Sequence, residues 1–528
     1  MASSRNRFLP AIASFFIVGA GQVIDGRYWA GICIFIIFYA PILVLKAIWK
    51  GVNPGFWAIL AAWIIVWLYN ILDAWKGPNY APPPCEKNCP ADIAPWIYVN
   101  QIATQAPWKY PFIPFFKILA LICPAPCEDH CTRRGVDKSV AIRELKNRVE
   151  TDKTTPATIK RKEKIAVIGA GPCGLTLAYT LANKGHNITV YERENKPGGV
   201  LAAFLPDFRL PSSILHSEIK ALTESGFEIK YGVELGRTVS VDDLLKDHDY
   251  LFLATGAWVP VKLGIPGEEN GLVGMDILRR IKNGEKFDLG RVGVVGGGNT
   301  AFDIARCLRR LGNEVKIYYR RRVEDMPAEH ENRVEAEEEG IEIVPLTTPV
   351  GIVKNSVLMA KTHCVGGRQS TVEIIKGSEF DVKINNVVMA IGQKPDTEFL
   401  TKHLKTDDMD RVIVKNGRTT HPRIFAGGDL VWGAKTLAHA VGDGLRAADR
   451  MDGKIRKVPA FIQWLAKEKF LPRTLKRLKL SSEARIQINH REAAKRIKDF
   501  KMTEQPIPAE HFVTEANRCL TCPLKYRP

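Results

Sequence analysis

KIAVIGAGPCGLTLAYTLANKGHNITVYERE, running from Lys164 to Glu194, decides how most of this chain folds. Ile165 to Ile168 is a short apolar run, the composition of a parallel strand buried on both faces, and from Leu175 the pattern turns helical. Between them stands Gly169-x-Gly171-x-x-Gly174. Gly169 permits the tight turn, Gly171 lets the backbone approach a pyrophosphate, and Gly174 lets the helix pack closely on its strand. The helix N-terminus then stabilises phosphate charge. Glu192 ends the second strand, where a carboxylate accepts hydrogen bonds from ribose hydroxyls. A glycine triplet alone is a weak signal, but a complete strand–turn–helix–strand unit is a strong one.

A second unit follows, RVGVVGGGNTAFDIARCLRRLGNEVKIYYRRR, from Arg291 to Arg322. Gly296-x-Gly298-x-x-Ala301 follows the strand Val292 to Val295, with alanine loosening the third position slightly. Its second strand ends in Arg320, Arg321 and Arg322 where an acid would select an unphosphorylated ribose. A guanidinium there binds a 2′-phosphate bidentately, which favours NADPH over NADH. An arginine run at a solvated strand end is the bland alternative. DYLFLATGAW places a further buried strand before Thr255 and Gly256, NVVMAIGQKPD another before Gly392, and RIFAGGDL presents Gly428 and Asp429 between a strand and a helical segment.

At 528 residues the chain is too long for one core, since domains run to about 150 residues. Its apolar content is concentrated at the start. Tyr28–Leu45 and Pro54–Leu72 are uncharged runs approaching the about 20 apolar residues that cross a bilayer, flanked by Trp29, Trp49, Trp57, Trp67 and Tyr69. Phe8–Ile24 is shorter and reads as an interfacial or re-entrant helix or a third span. A cleaved leader is disfavoured, because no small-residue cleavage site precedes the following spans. This region resembles a small two-helix membrane module of the TM2 type. Flanking charges are equivocal about topology, and reduced thiols with nucleotide sites place the large domains on the cytoplasmic side. The net charge of +18 gathers late, with a basic, apolar-interleaved stretch from Lys454 to Lys501 that suits an anionic lipid surface or a solvated helix face. No nucleic-acid fold signature accompanies it.

Seven of the eleven cysteines lie at the two ends of the soluble part: Cys85 and Cys89 in CEKNCP, Cys123, Cys127 and Cys131 in CPAPCEDHC, and Cys519 and Cys522 in RCLTC. Soft thiolates suit iron–sulfur clusters, while zinc would take any four of them. Disulfides are disfavoured in a reducing compartment.

The phrases CPAPCEDHC, GGVLAAFLPDFRLP, GGGNTAFDIAR, YYRRRVEDMPA and IFAGGDL together resemble the small subunit of glutamate synthase and the N-terminal part of dihydropyrimidine dehydrogenase. These are flavoproteins in which an NAD(P)H domain is inserted into an FAD domain. The resemblance covers roughly Cys85 to Met451 and implies an α/β fold of two nested Rossmann-like domains beside a helical iron–sulfur domain. It divides the chain into a membrane module (1–78), an iron–sulfur domain (79–160), an FAD domain in two parts (161–288 and 381–452), an NADPH domain (289–380) and a C-terminal extension (453–528). It implies FAD against Gly169, Gly171, Gly174, Glu192, Arg193, Gly199, Thr255, Gly256, Gly392, Gly428, Asp429, Thr436 and Leu437. NADPH falls to Gly296, Gly298, Asn299, Thr300, Ala301, Arg320 and Arg321.

In those relatives four cysteines precede C-x3-C-x3-C, and here the first two are missing from NYAPPP. The resemblance therefore implies that Cys519 and Cys522 fold back to stand in for them. Cys519, Cys522, Cys85 and Cys131 would hold one [4Fe–4S] cluster, and Cys89, Cys123 and Cys127 would supply three ligands to another. Relatives place Gln or Glu as the fourth ligand where this chain has Lys146, and an ammonium cannot ligate iron. Glu144 is near but shifted by two residues. GGVLAAFLPDF has no cysteine pair for disulfide chemistry, so electrons leave the flavin through the clusters.

The expected activity is a membrane-anchored NADPH-dependent oxidoreductase delivering electrons to a partner protein or membrane carrier. NADP+ reduction in the reverse direction is equally compatible with these motifs. The rivals are the NADPH-oxidising subunit of a glutamate synthase and a non-enzymatic redox-sensing membrane scaffold.

Overall fold

The computed structural model describes residues 82–152, 161–353, 356–365, 371–415, 417–455 and 481–522. The membrane module read over residues 1–78 lies outside them, as does the 456–480 part of the basic stretch. Among the described residues no helix is long and apolar enough to cross a membrane.

Two five-stranded sheets, each parallel throughout, carry the two nucleotide motifs. In the first sheet the central strand Lys164–Ile168 is flanked on one side by Tyr250–Leu253 and then Ile424–Ala426. On its other side lie Asn187–Glu192 and then Glu228–Tyr231. Ile165, Ala166 and Val167 are fully buried, as a strand covered by helices on both faces must be. One of those helices, Pro172–Asn183, packs along Leu437–Ile455, so the chain's late helix covers its earliest motif.

The second sheet orders Glu342–Val344, Glu314–Tyr318, Arg291–Val295, Asn386–Met389 and Leu272–Val273. Its two last-named strands lie outside the span 289–380 read for this domain. The boundary is instead marked by Val259–Pro260 and Gln393–Lys394, which pair antiparallel as the chain enters and leaves the insertion. The reading placed the division at the glycine motif, but the sheet also recruits strands on both flanks of that motif. A small antiparallel sheet of Thr347–Val353, Ser356–Cys364, Val372–Ile374 and Phe380–Val382 fills the rest of the insertion.

The cysteine-bearing region is helical. Cys85 and Cys127 each sit in a single-turn helix, Pro84–Lys87 and Pro126–Asp129, opened by a proline whose fixed φ and missing N–H suit a first turn. Helix Pro95–Thr104 buries Trp96, Tyr98 and Val99, and the C-terminal helix Ala509–Ala516 packs against it.

What holds that C-terminal helix is a buried ion-pair latch. The fully buried Arg518 donates to Glu515 at 2.8 Å, to Asp137 at 2.9 Å, and to the carbonyls of Lys138 and Ser139 at 2.7 and 3.1 Å. Arg133 in turn donates to the Arg518 carbonyl at 3.2 Å and to Asp137 at 2.6 Å. Glu515 also accepts the backbone N–H of Ala141 and of Ile486, both at 2.8 Å.

In the described part of the basic stretch some arginines pair with carboxylates elsewhere in the protein, while Lys495, Lys498 and Lys501 are exposed. Arg485 pairs with Glu128 at 2.7 Å, and the buried Arg496 with Glu335 at 3.0 Å. Removing one partner of a buried pair leaves an uncompensated charge. Arg518→Met is therefore predicted to cost about 3–5 kcal/mol of local stability. Limited proteolysis should cleave the variant near residue 500 at concentrations that leave the wild type intact.

Candidate functional site

The turns after the first sheet's strands converge on one cavity of about 760 Å³. Gly169, Gly171, Glu192, Arg193, Gly199, Thr255, Gly256, Gly428, Asp429, Thr436 and Leu437 all line it, bringing together eleven of the residues read as flavin-binding. Gly169 adopts a φ of +103°, and a Cβ there would stand 2.4 Å from the carbonyl oxygen of Ala254. Only glycine lets the turn close against the neighbouring strand's end. Gly174 lies behind the turn against its strand, and Gly392 sits at the returning ribbon, accepting from the N–H of Val261 at 3.1 Å.

Two carboxylates line the cavity. Glu192 is fixed by the N–H groups of Ala170 at 2.7 Å and Glu194 at 2.9 Å, and burial pushes its carboxyl up from the usual range. Asp429 accepts from Lys435 N–H at 3.2 Å, and burial pushes it up to about 6. The Thr255 hydroxyl faces the cavity buried and without a hydrogen-bond partner, a polar atom that a bound dinucleotide would satisfy. Sequence reasoning missed the aromatic wall. Trp258 and Phe204 pack with ring centroids 5.3 Å apart, and the Arg193 guanidinium lies 4.2 Å above the Trp258 ring. Trp258 directly follows the Thr255-Gly256 turn, a proximity that could have pointed to it. Cys173 is the one cysteine lining the cavity, so no dithiol faces it.

None of the residues read as NADPH-binding lines this cavity. They build a second strand-to-helix turn in which Gly298 caps helix Asn299–Arg310. Asn299 donates to Glu329 at 3.2 Å and accepts the Glu329 N–H at 3.0 Å, tying the turn to the loop after Pro327. Thr300 and Ala301 open the same helix. Arg320 and Arg321 follow the strand Glu314–Tyr318. Arg322 is drawn into an ion pair with Asp325 at 2.9 Å, whereas Arg320 is exposed and pairs with no carboxylate among the described residues.

The seven cysteines form two groups. Cys85, Cys131, Cys519 and Cys522 line one small cavity, and Cys89, Cys123 and Cys127 line another together with Lys146. In the first, Thr521 N–H points to the Cys519 sulfur at 3.4 Å and the Thr132 hydroxyl lies 2.8 Å from Cys522 Sγ. Burial, then the neighbouring Cys519, pushes the Cys85 thiol far above its usual range. All four of these cysteines are half-buried around the cavity. Among the described residues no three His, Cys, Asp or Glu side chains converge as ligands of a single metal ion.

Two parallel-sheet dinucleotide domains, one inserted in the other, with a cavity at the carboxyl ends of the outer sheet's strands, define a nucleotide-dependent redox protein. Residues 163–444 match the pyridine nucleotide-disulphide oxidoreductase family, and the chain belongs to it. It is 32% identical to the NADP(+)-dependent formate dehydrogenase subunit beta of Moorella thermoacetica over 84% of this chain and 72% of that one. It is 33% identical to the NADPH-Fe(3+) oxidoreductase subunit beta of Geobacter sulfurreducens over 69% of this chain, spanning only 62% of that relative's length. The match to the Escherichia coli glutamate synthase [NADPH] small chain is 32% over 70% of this chain and 87% of the relative. Among solved structures, FprA, a Mycobacterium tuberculosis oxidoreductase, shares the fold at a TM-score of 0.50 and 18% identity, over 58% of this chain and 91% of that one. The chain is thus an NAD(P)H-dependent oxidoreductase by family.

Asp429 gives a pH signature in the cofactor-free protein. A carboxyl whose folded pKa is raised binds its proton more tightly in the fold than in the unfolded chain. Stability is therefore lost as pH rises from the ordinary aspartate value of 3.8 to about 6. Asp429→Asn should gain stability relative to wild type across that window and hold a constant difference above it, measured by denaturant unfolding at stepped pH. A pH-independent difference would show that Asp429 is not held in this way.

Proposed function

We propose that this chain takes electrons from NADPH and passes them, through FAD and two iron–sulfur centres, to a partner protein or membrane carrier. One observation carries the reading. At the N-terminus of helix Leu437–Ile455, Thr436 and Leu437 line the dinucleotide cavity while the next residue, Ala438, lines the cavity of Cys89, Cys123 and Cys127. The two cavities are neighbours across a single residue. A Cβ on Gly442 of the same helix would stand 1.9 Å from the Pro90 carbonyl oxygen, and Arg446 donates to that oxygen at 3.1 Å. The helix is thus clamped onto the loop that follows Cys89.

When bound, FAD would supply a two-electron acceptor for hydride and the clusters one-electron carriers. The chain's own residues position and insulate. Glu192 and Asp429 would hold the ribose and ribityl hydroxyls, with the glycine turn and its helix N-terminus facing the pyrophosphate. Phe204 and Trp258 wall the cavity from water, and Arg320 would take the 2′-phosphate. Cys85, Cys131, Cys519 and Cys522 would hold the second cluster. The names of the three relatives each carry NADP(H) and a subunit designation, which supports an electron-entry role beside a separate acceptor. The apolar runs at Tyr28–Leu45 and Pro54–Leu72 support anchoring of this cytoplasmic unit to a membrane.

Two tests follow from the assignment. Charge-assisted hydrogen bonds are worth about 1.5–3 kcal/mol, so Arg320→Ala should raise KM for NADPH about 10- to 100-fold and leave that for NADH unchanged. In anaerobically purified full-length protein, Cys519→Ser and Cys89→Ser should each lose part of the iron while NADPH still bleaches the flavin. Unchanged iron in both variants, or a flavin that NADPH does not reduce, would overturn the reading.

A further inference from the structure

The cavity of Cys89, Cys123 and Cys127 has a fourth polar lining group, Lys146, and that group is a cation. Lys146 lies where helix Ile142–Leu145 tightens into the turn Lys146–Arg148, and it is only 5% exposed. Among the described residues no carboxylate pairs with it. A buried ammonium without an anion costs several kcal/mol, so its placement calls for negative charge in this cavity. Glu144 is not available to complete the ligand set. Its Oε1 accepts from Arg143 at 2.6 Å, and the side chain does not line the cavity.

We infer that Cys89, Cys123 and Cys127 form a three-thiolate iron–sulfur site in which Lys146 supplies charge and N–H donors but no ligand, leaving one iron corner open to an exogenous ligand. This rests on the iron–sulfur reading above. Lys146 is a positioning residue there. Three donors on a flexible stem suit hydrogen bonding to sulfur or to a small anion at the open corner. A fixed positive charge favours the more negative, reduced state, so this site is easier to reduce than it would be without the lysine. The cavity stands next to the dinucleotide cavity, so an easily reduced site there would be first in line for electrons.

The test is an anaerobic redox titration of the full-length protein, followed by electron paramagnetic resonance, with iron counted in every sample. Lys146→Met should shift one of the two signals to lower midpoint potential and leave the other signal and the iron content unchanged. Lys146→Arg, which keeps the charge, should stay near wild type. Cyanide added to the wild-type protein should alter the same signal and not the other. Full iron with both midpoints unmoved in Lys146→Met would overturn the inference. So would a wild-type spectrum indifferent to cyanide, an arm that stands even if Lys146→Met fails to retain its iron. Wild-type protein that carries zinc and no iron would instead refute the underlying iron–sulfur reading, a distinct and separately visible failure.

Discussion

Arg518 is the constraint on which the composite architecture depends. It is fully buried and is the last charged residue before the Cys519–Cys522 pair, and its guanidinium spans Glu515, Asp137 and the carbonyls of Lys138 and Ser139. Those groups come from segments nearly four hundred positions apart in sequence. Without the latch the terminal cysteines would have no fixed place, and the cavity they share with Cys85 and Cys131 would lack half of its sulfurs. A buried pair of this kind adds little net stability over apolar packing. What it contributes is registry: the arginine's bonds to Asp137, Lys138 and Ser139 form only when the C-terminus lies across this one loop.

The second structural device is helix Leu437–Ile455. It packs on the helix of the first glycine motif, contributes its N-terminal residues to the dinucleotide cavity, and touches the Cys89 loop so closely that only glycine fits at position 442. A single rigid element thereby sets the distance between two cavities that local sequence places far apart. The chain enters and leaves the inserted domain through the short ribbon of Val259–Pro260 and Gln393–Lys394, and Phe204 and Phe208 of the outer domain pack into its core. Where the C-terminal strap crosses it, Arg496 and His490 meet Glu335, in the same acidic helix that neutralises the buried Arg306. The strap thus ties the insertion to the cysteine-bearing region by charge.

Much of this was legible in the sequence because it depends on local chemistry. Gly169 and Gly296 announce their turns through the strands before them, and Asp429 follows a strand in a phrase whose neighbours also line the cavity. The partition of the cysteines was legible only through resemblance, since nothing local tells Cys519 that its neighbour is Cys85. The insertion boundary was misplaced because Leu272–Val273 is a two-residue edge strand too short to show a period, and Asn386–Met389 reads equally well in either sheet. The partners of the described arginines in the basic extension were not legible for a different reason. Composition reports charge but not its partners, and Arg485, Arg491 and Arg496 find theirs in Glu128, Asp499 and Glu335. Trp258 and Phe204 carry no motif and become visible as a cavity wall only once the fold brings them together.

Everything proposed for electron flow depends on whether the two cysteine groups beside the dinucleotide cavity hold iron–sulfur clusters. The most direct measurement is anomalous diffraction at the iron absorption edge from crystals of protein purified without oxygen. Two iron peaks are expected, one among Cys85, Cys131, Cys519 and Cys522 and one among Cys89, Cys123 and Cys127. Signal at the zinc edge alone, or a single peak that leaves Cys519 and Cys522 unliganded, would contradict the iron–sulfur assignment.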